Sequence, residues 1–345
     1  MASPDVSGPV VLSGEDPRSS NLVQPALAQA AAPPMGIDLH AAPFEFRGLF
    51  SGIRVEWATL GLMVACYGVW AVALWVLWPV APALAVLTAA LATGFHSSLS
   101  HEALHGHPFR TAWINELLVS PCLSLTVPYR RFKETHLAHH SDPSLTDPYD
   151  DPESNYLDPA VWAALPRWKK AILRLNNTLL GRVVLGPWIG QVSFMRDEWR
   201  LIRQGNRAVQ IAWALHIPGV IVVLALVAVS PMPFWAYGLA VCGGLGLIKI
   251  RTFLEHRAHE KNRARTAIVE DGGPLAWLFL YNNLHVVHHM HPKVPWYRLP
   301  ELYRRGRARY QAANEGYVYR SYGQVILRHL FRAKDPVPHP LWRKE

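Results

Sequence analysis

The sequence PALAVLTAALATGFHSSLSHEALHGH, residues 82–107, joins an apolar run to four closely spaced histidines. It overlaps a block, residues 57–100, that contains no Lys, Arg, Asp or Glu. As a helix rising about 1.5 Å per residue, this block is about twice as long as the ~30 Å hydrocarbon core of a bilayer is thick. Pro79 and Pro82 interrupt it near the middle, where a helix would break. The block therefore predicts two membrane-spanning helices, at about 57–79 and 81–100.

A second block without charged side chains covers residues 208–248, and Pro231 and Pro233 lie near its middle. It predicts two further spans, at about 208–230 and 233–250. Two helical hairpins return the chain to its starting side, and the positive-inside rule makes that side cytoplasmic. Residues 101–207 and 251–345 and both termini are then cytoplasmic, in an integral membrane protein for which we favour the bacterial inner membrane.

The apolar stretch 117–127 is too short to span and contains Pro121, so it predicts a re-entrant or interfacial segment. The expected fold class is an all-α membrane protein. Four transmembrane helices form two hairpins, and a cytoplasmic helical cap carries the histidine clusters. Residues 1–45, rich in Pro, Ala and Ser, predict a mobile tail, and residues 46–345 predict one membrane domain.

The composition excludes several other classes of protein. Half of the 345 residues are hydrophobic and 17% are charged, which argues against a disordered chain. The formal net charge of +9 comes from basic residues that all lie outside the two apolar blocks. This placement indicates a positive-inside membrane protein and no nucleic-acid partner. The three cysteines lie in apolar stretches without metal-ligand spacing, which predicts a packing role.

Thirteen of the seventeen histidines fall into four groups, beginning at residues 96, 136, 256 and 285. The first contains His101 and His105, at i and i+4 on one helical face. The second and fourth groups are HxxHH patterns, whose i, i+3 and i+4 positions share one side of a helix. Imidazole suits zinc, copper, iron and nickel, and a structural zinc site would normally use cysteine. The repetition predicts a catalytic site with two metal ions.

With His101-Glu-Ala-Leu-His105, His136-Leu-Ala-His139-His140 and His285-Val-Val-His288-His289 in this order, the sequence resembles the membrane fatty acid desaturase and hydroxylase superfamily. The resemblance covers about residues 96–303. It includes the segment HPKVPWYRLP, residues 291–300, which is similar to the segment after the last box in bacterial desaturases and carotenoid oxygenases.

The resemblance implies two non-haem iron ions on a four-helix membrane scaffold with cytoplasmic termini. It also implies a ninth ligand at His256, with His259 in reserve, although Thr252 stands where some acyl-CoA desaturases have an Asn. Whether His96, His107, His259 or His291 joins the shell stays open. The predicted metal ligands are His101, His105, His136, His139, His140, His256, His285, His288 and His289.

Removing hydrogen from an unactivated methylene needs an oxidant that no side chain supplies, so a redox metal must carry it. We expect an oxygen-dependent desaturase that places a double bond in a fatty acyl chain or related lipid. The alternative is a hydroxylase or ketolase of a lipid or carotenoid on the same scaffold. A non-catalytic metal-binding membrane protein is disfavoured because the predicted spans lack the ionisable groups of a transporter.

Three acidic residues beside the boxes, Glu102, Glu134 and Glu255, are candidates for orienting ligand imidazoles, although Glu134 can equally pair with Lys133 or Arg131. The Asp-Pro repeats in residues 142–153 predict a structural loop of consecutive turns. Asn282 and Asn283 precede the last box and offer a polar contact or a helix cap. No cytochrome b5-like segment, CxxC cluster or Rossmann glycine pattern is present, which predicts a separate ferredoxin or rubredoxin as electron donor.

Overall fold

The computed structural model describes residues 54–141 and 145–342, together with the strand Phe44–Glu45. Within this part of the chain the fold is mostly helical, as predicted. Its helices are α1 (Trp57–Val72), α2 (Pro82–Leu104), α3 (Ala112–Val119), α4 (Tyr129–Ser141), α5 (Pro159–Ala164), α6 (Arg167–Asn176), α7 (Leu179–Val184), α8 (Gly186–Arg203), α9 (Arg207–Val229), α10 (Phe234–Thr252), α11 (Pro274–Leu278), α12 (His285–Met290), α13 (Leu299–Ala313) and α14 (Tyr322–His329).

Short elements complete the described chain. A π-helical turn, Ala73–Leu77, continues α1, and two 3₁₀ turns cover Asn262–Arg265 and Trp296–Arg298. Four strands of two residues each depart from the all-α prediction: β1 (Phe44–Glu45) pairs antiparallel with β2 (Arg54–Val55), and β3 (Ile268–Val269) pairs parallel with β4 (Val318–Tyr319). The predicted mobile tail, residues 1–45, lies outside the described residues apart from β1.

Three of the four predicted spans are long and apolar enough to cross a membrane, at Trp57–Leu77, Pro82–Leu104 and Arg207–Val229. The fourth predicted span corresponds to α10, which is a continuous helix of 19 residues. Glycines in its middle and Lys249 and Arg251 in its last turn lower its mean hydropathy, so it falls outside that group. The four-span arrangement in two hairpins therefore stays a prediction.

Helices α2 and α10 approach each other closely through small side chains. A Cβ added to Gly244 of α10 would lie 2.7 Å from Thr93 Cβ and 2.8 Å from the Ala90 carbonyl oxygen of α2. A Cβ on Gly94 would lie 3.3 Å from the Gly244 carbonyl oxygen. Small residues of this kind let helix backbones pack closely in membranes. This contact holds α10, and the chain that follows it, against the helix that carries the first histidine box.

The stretch predicted to be re-entrant or interfacial begins in α3 and continues as irregular chain over residues 120–128. Side chains from neighbouring helices satisfy its free carbonyl groups. Tyr67 donates to Leu118 O at 2.8 Å, and Tyr237 donates to Leu123 O at 2.6 Å. Non-helical backbone needs such partners when it is buried away from water. The segment is therefore packed inside the helical bundle, against α1, α9 and α10.

Helix α4, which carries the second histidine box, is fixed to its neighbours by a buried ion pair. The guanidinium of Arg131 lies 2.9 Å from the Glu198 carboxylate of α8, and both side chains are almost fully buried. Trp213 Nε1 of α9 donates to the same carboxylate at 2.9 Å. One carboxylate thus ties three helices together beneath the second box.

Candidate metal centre

The structure brings all nine predicted ligands together, although they come from four separate parts of the chain. They form two groups of histidines whose ring nitrogens lie within 4.8 Å of one another in each group. His140 and His289, one from each group, stack with ring centroids 4.2 Å apart, so the groups are neighbours. The first group is His101, His105, His136, His140 and His288; the second is His139, His256, His285 and His289.

Each HxxHH box divides its histidines between the two groups. His136 and His140, at i and i+4 of α4, join the first group, whereas His139 joins the second. In α12 the assignment is reversed: His285 and His289 join the second group and His288 joins the first. At about 100° per residue, i and i+4 positions are only about 40° apart, whereas i+3 lies about 60° to the other side of i. The spacing of the box therefore allows one helix to serve both groups.

Polar side chains hold the remote nitrogens of three of these histidines. His136 Nδ1 lies 2.8 Å from Glu153 Oε1, and His139 Nδ1 lies 2.8 Å from Asp151 Oδ1. A carboxylate can only accept, so both imidazoles donate at Nδ1. This holds a proton on Nδ1 of each ring and directs Nε2 toward the other histidines.

The same arrangement occurs in the last box, where His285 Nδ1 lies 2.9 Å from the Asn282 side-chain oxygen. His285 Nε2 lies 3.2 Å from His256 Nε2 and 3.1 Å from His289 Nε2. His101 Nε2 likewise lies 3.0 Å from His136 Nε2, and the Nε2 of His105 is buried and has no hydrogen-bond partner in the part of the chain that the structure describes. Converging imidazole nitrogens whose protons are held on the far side repel one another unless a cation lies between them. The donor set therefore fits metal ions.

The electrostatics of the cluster favour neutral imidazoles at most positions. Burial, with the neighbouring histidines, lowers the pKa of His105 to about 2 and that of His140 to about 3. Burial also holds the pKa of His288 well below its usual value. His139 is the exception: burial lowers its pKa, but the carboxylates of Glu153 and Asp151 outweigh this and raise the pKa to about 9. Neutral imidazole is the form that binds a metal.

The three carboxylates proposed from the sequence to orient imidazoles differ in the contacts that they make. Glu134 is bound by Arg131 and exposed, so its ion pair is the correct alternative. Glu102 lies 3.9 Å from His101 Nδ1 and accepts the Trp296 backbone N–H. Glu255 lies 3.7 Å from His285 Nδ1 and pairs with Arg251 at 2.8 Å.

Sequence reasoning missed the two carboxylates that bind ligand imidazoles directly, Asp151 and Glu153. Both belong to the Asp-Pro loop, which was predicted to have only a structural role. The acidic run Asp150-Asp151-Pro152-Glu153, so soon after the second box, was the signal available in the sequence. Asn282 was recognised as a possible polar contact and makes one, whereas Asn283 donates to the Val269 carbonyl at 2.7 Å.

The C-terminal segment holds the chain around His256. Lys334 Nζ donates to the His256 carbonyl oxygen at 2.5 Å and to the Tyr317 hydroxyl at 3.2 Å. Tyr317 in turn donates to Leu254 O at 2.7 Å. The loop that places His256 after α10 is therefore fixed by Tyr317 and by Lys334, which lies 78 positions beyond His256.

The four histidines whose role was left open lie outside both groups, and each has another partner. His96 contacts the Tyr67 hydroxyl at 2.9 Å, and His107 forms an ion pair with Glu56 at 2.6 Å. His259 lies 3.4 Å from the Glu315 carboxylate, and His291 lies 3.1 Å from the Tyr310 hydroxyl. His101 and His105, the pair preferred from the sequence as the first box, lie together in the first group, and His96 does not.

A cavity of about 240 Å³ lies beside the first group. Its wall includes Phe132, whose ring centroid is 5.7 Å from that of His136 and 6.5 Å from that of His101. Parts of α2, α3, α4, α9 and α10 and the irregular chain 120–127 complete the wall. A ligand in this cavity would lie one aromatic ring away from the histidine cluster.

In the part of the chain that the structure describes, the fold is mostly helical, with three candidate membrane spans and a cluster of nine buried or partly buried histidines. The sequence model of the family described as Fatty acid desaturase matches residues 73–323, and the chain belongs to that family. The family resemblance inferred from the histidine boxes is thus confirmed. Membership makes the chain a membrane protein and an oxygen-dependent oxidoreductase of a metal-dependent family.

Two similar proteins carry a more specific description. The chain is 26% identical to a β-carotene ketolase of Paracoccus sp. (strain N81106 / MBIC 01143) over 223 residues, which is 60% of this chain and 73% of the relative. It is also 26% identical to a β-carotene ketolase of Paracoccus sp. (strain PC1) over 270 residues, 72% of this chain and 93% of the relative.

Proposed function

We propose that the nine histidines hold two iron ions and that the protein uses dioxygen to oxidise a C–H bond of a lipid substrate in the membrane. The observation that carries this proposal is the pair of adjacent histidine groups, five and four in number, with converging ring nitrogens. Nitrogen ligation of this kind suits iron, and a pair of irons supplies the strong oxidant that breaking an unactivated C–H bond requires.

The chain's own residues would perform the positioning. Glu153, Asp151 and Asn282 orient His136, His139 and His285 through their Nδ1 atoms. Such outer contacts set the direction and basicity of a ligand imidazole. Val286 and Val287, which lie between the histidines of the last box, are buried, as expected of a site that keeps water out.

Oxygen insertion into a ring or chain methylene, as in a ketolase or hydroxylase, is the reaction we place first. Both relatives are β-carotene ketolases, which favours the second of the two reactions considered from the sequence. Each hydroxylation inserts one oxygen atom, releases the other as water, and consumes two electrons and two protons from outside. Two hydroxylations at one carbon, followed by loss of water, yield a ketone.

Desaturation of a fatty acyl chain is the second candidate, supported by the description of the family. It begins with the same hydrogen abstraction and removes a second hydrogen from the adjacent carbon, releasing two waters. It also needs two external electrons and two protons for each dioxygen. Both reactions therefore require the same donor, for which we propose a separate ferredoxin or rubredoxin.

We also propose that α10 is the fourth span and that the histidine groups lie on the cytoplasmic side. The close packing of α10 along α2 supports this, because two helices joined through Gly244 and Thr93 share the same depth. The cationic side chains Lys249 and Arg251 are at the end of α10 that precedes His256, in agreement with the positive-inside rule.

Expression in a bacterial host that makes β-carotene tests the proposed function. Pigments and fatty acids are extracted from cells with the protein, cells without it, and cells with the His288→Ala variant, which removes one imidazole from the first group. Keto- or hydroxycarotenoids that appear only with the unaltered protein support oxygen insertion. New double bonds in fatty acids, with unchanged pigments, support the second candidate. No change in either class of lipid, when the protein is present with its iron and a donor, contradicts the proposal.

A further inference from the structure

The cavity beside the first histidine group has polar groups in a mainly apolar wall. Serine, threonine, tyrosine and histidine side chains share its wall with apolar ones. Most of these polar groups have partners within the protein. His216 Nε2, for example, contacts Leu125 O at 3.2 Å, and Arg130 binds Glu116 through two hydrogen bonds. Two groups, one from α10 and one from α4, have no such partner among the described residues.

The first is Lys249, in the last turn of α10. Its Nζ lies beside α8: a Cβ added to Gly190 of that helix would be 3.6 Å from Lys249 Nζ. Among the described residues it has no hydrogen bond and no carboxylate within ion-pair distance. The carboxylates of the surrounding helices and loop are already held: Glu116 by Arg130, Glu255 by Arg251 and Glu153 by His136.

The second is Tyr129, at the start of α4. Its hydroxyl oxygen is buried and has no hydrogen-bond partner among the described residues. Tyr129 and Lys249 line the same cavity from different helices. A buried hydroxyl without a partner is unfavourable, and so is an ammonium group that no carboxylate neutralises. Both groups can donate a hydrogen bond to an oxygen atom in the cavity.

We propose that this cavity binds the oxygen-bearing end of the lipid substrate, with Lys249 and Tyr129 as the donors. The shared chemistry is a hydrogen-bond-accepting oxygen, either the carboxylate of a fatty acid or the keto oxygen of a substituted ring. This inference rests on the proposed lipid oxidation only in taking the ligand to be the substrate. It adds that a lipid substrate that already carries an oxygen atom enters this cavity with that polar end.

The volume of the cavity agrees with an end group and not with a whole lipid. About 240 Å³ corresponds to roughly eight water molecules at ~30 Å³ each. A ring or a carboxylate with a few carbons fills that space, so the rest of the molecule must lie outside it. Phe132 separates the end group from His101 and His136. The polar end is thus held beside the metal-binding histidines.

Binding can be measured without turnover, on the full-length iron-loaded protein in lipid nanodiscs, without reductant. One pair of probes is oleic acid and the corresponding hydrocarbon. The other is isophorone, a keto-substituted trimethylcyclohexene ring, and the same ring without the oxygen. Isothermal titration with empty nanodiscs as the blank gives the four dissociation constants. We expect one oxygen-bearing probe to bind about 10- to 100-fold more tightly than the oxygen-free probe of the same pair. The pair that shows the difference identifies the ligand group as a carboxylate or a keto oxygen.

The variants test whether the two donors cause that preference. Lys249→Met should abolish it, Tyr129→Phe should reduce it several-fold, and Lys249→Arg should retain part of it. Lys169→Met, which removes an exposed cation from α6, is the matched control and should leave it unchanged. Iron content and thermal unfolding report whether each variant is folded. If Lys249→Met does not fold, Tyr129→Phe still tests the proposal.

Equal affinity within both probe pairs overturns the proposal, as does a preference that survives unchanged in Lys249→Met and Tyr129→Phe. Neither result bears on lipid oxidation, which the pigment and fatty acid experiment tests separately. Conversely, a probe preference that depends on Lys249 in a protein that changes no lipid in the host would keep this site and reject the proposed function.

Discussion

His139 Nδ1 lies 2.8 Å from Asp151 Oδ1, and both side chains are almost fully buried. Asp151 also accepts the backbone N–H groups of Thr146 at 2.8 Å and Glu153 at 2.9 Å. The loop after the second box therefore folds back on α4 and is fixed to the histidine that this helix contributes to the second group. One carboxylate orients a ligand and also sets the position of Glu153, which orients another.

We expect Asp151→Asn to weaken iron retention about 10-fold or more, because an amide no longer enforces the His139 tautomer that directs Nε2 to the metal. Iron per chain, measured against a graded series of chelator concentrations, checks this. Asp150→Asn is the matched control, since Asp150 is exposed in the same loop. Equal chelator resistance in the two variants would show that Asp151 does not support the site.

His256→Ala should remove activity and lower iron content, because His256 lies in the second group with only three other imidazoles. His259→Ala should retain iron, since His259 lies outside both groups beside Glu315. His216→Ala should also retain iron, because His216 lies outside both groups and its ring contacts the Leu125 carbonyl. Metal analysis of the purified variants decides. Full iron retention in His256→Ala would move the ninth-ligand role elsewhere.

Glu198→Ala should destabilise the protein by about 3–5 kcal/mol, because it leaves the buried guanidinium of Arg131 without its main partner. Asp197→Ala is the neighbouring control: its ion pair with Arg200 is exposed, and its loss should cost less than about 1 kcal/mol. Unfolding in mixed detergent micelles measures both. Similar costs for the two variants would contradict the assignment of Glu198 as the residue that ties α4 to α8 and α9.

Gly219→Ala should cost about 1–3 kcal/mol, because a Cβ there would lie 2.0 Å from the Ser120 carbonyl oxygen and must displace the irregular chain from α9. Gly238→Ala provides the comparison, since a Cβ at this position of α10 meets nothing within 4 Å. Its helix propensity should make it neutral or stabilising by up to about 1 kcal/mol. If both changes are neutral in the same unfolding assay, the close approach of α9 to residue 120 is wrong.

Purified protein with oxygen and substrate alone should turn over at most once per pre-reduced centre. Reduction of dioxygen to the level of water takes four electrons, and the substrate supplies two. Product is measured with and without ferredoxin or rubredoxin and its reductase, across a salt series. Higher salt should slow the reaction with a charged donor, because screening within ~8–10 Å weakens steering. Sustained turnover without reductant would rule out this type of oxygen chemistry.

The spacing of histidines in the sequence determined eight residues of the cluster for a physical reason, whereas His256 followed from the family resemblance. Imidazoles at i, i+3 and i+4 share one side of any helix, whatever lies around it, so the boxes could be recognised from their spacing. The charge-free blocks likewise predicted long apolar helices, and three of them satisfy the length and composition of a membrane span. Both features depend only on residues that are close together along the chain, so they can be read from sequence patterns.

Only the tertiary structure decided how the ligands divide between the groups. His136, His139 and His140 lie on one helix, yet His139 joins residues that follow them by more than 100 positions, such as His256. The division depends on where the segments after α10 and α12 lie relative to α4. Nothing in the HxxHH pattern specifies the direction from which a partner imidazole approaches.

The supporting contacts were also outside the reach of local patterns. Glu134 lies beside the second box in sequence but pairs with Arg131, whereas Glu153, 17 residues from His136, reaches its Nδ1. A loop whose turns were evident from its prolines supplies this contact because it folds back on α4. Neighbours along a helix point to different sides, so closeness in sequence selected the wrong carboxylate, and only the path of the loop in space selected the right one.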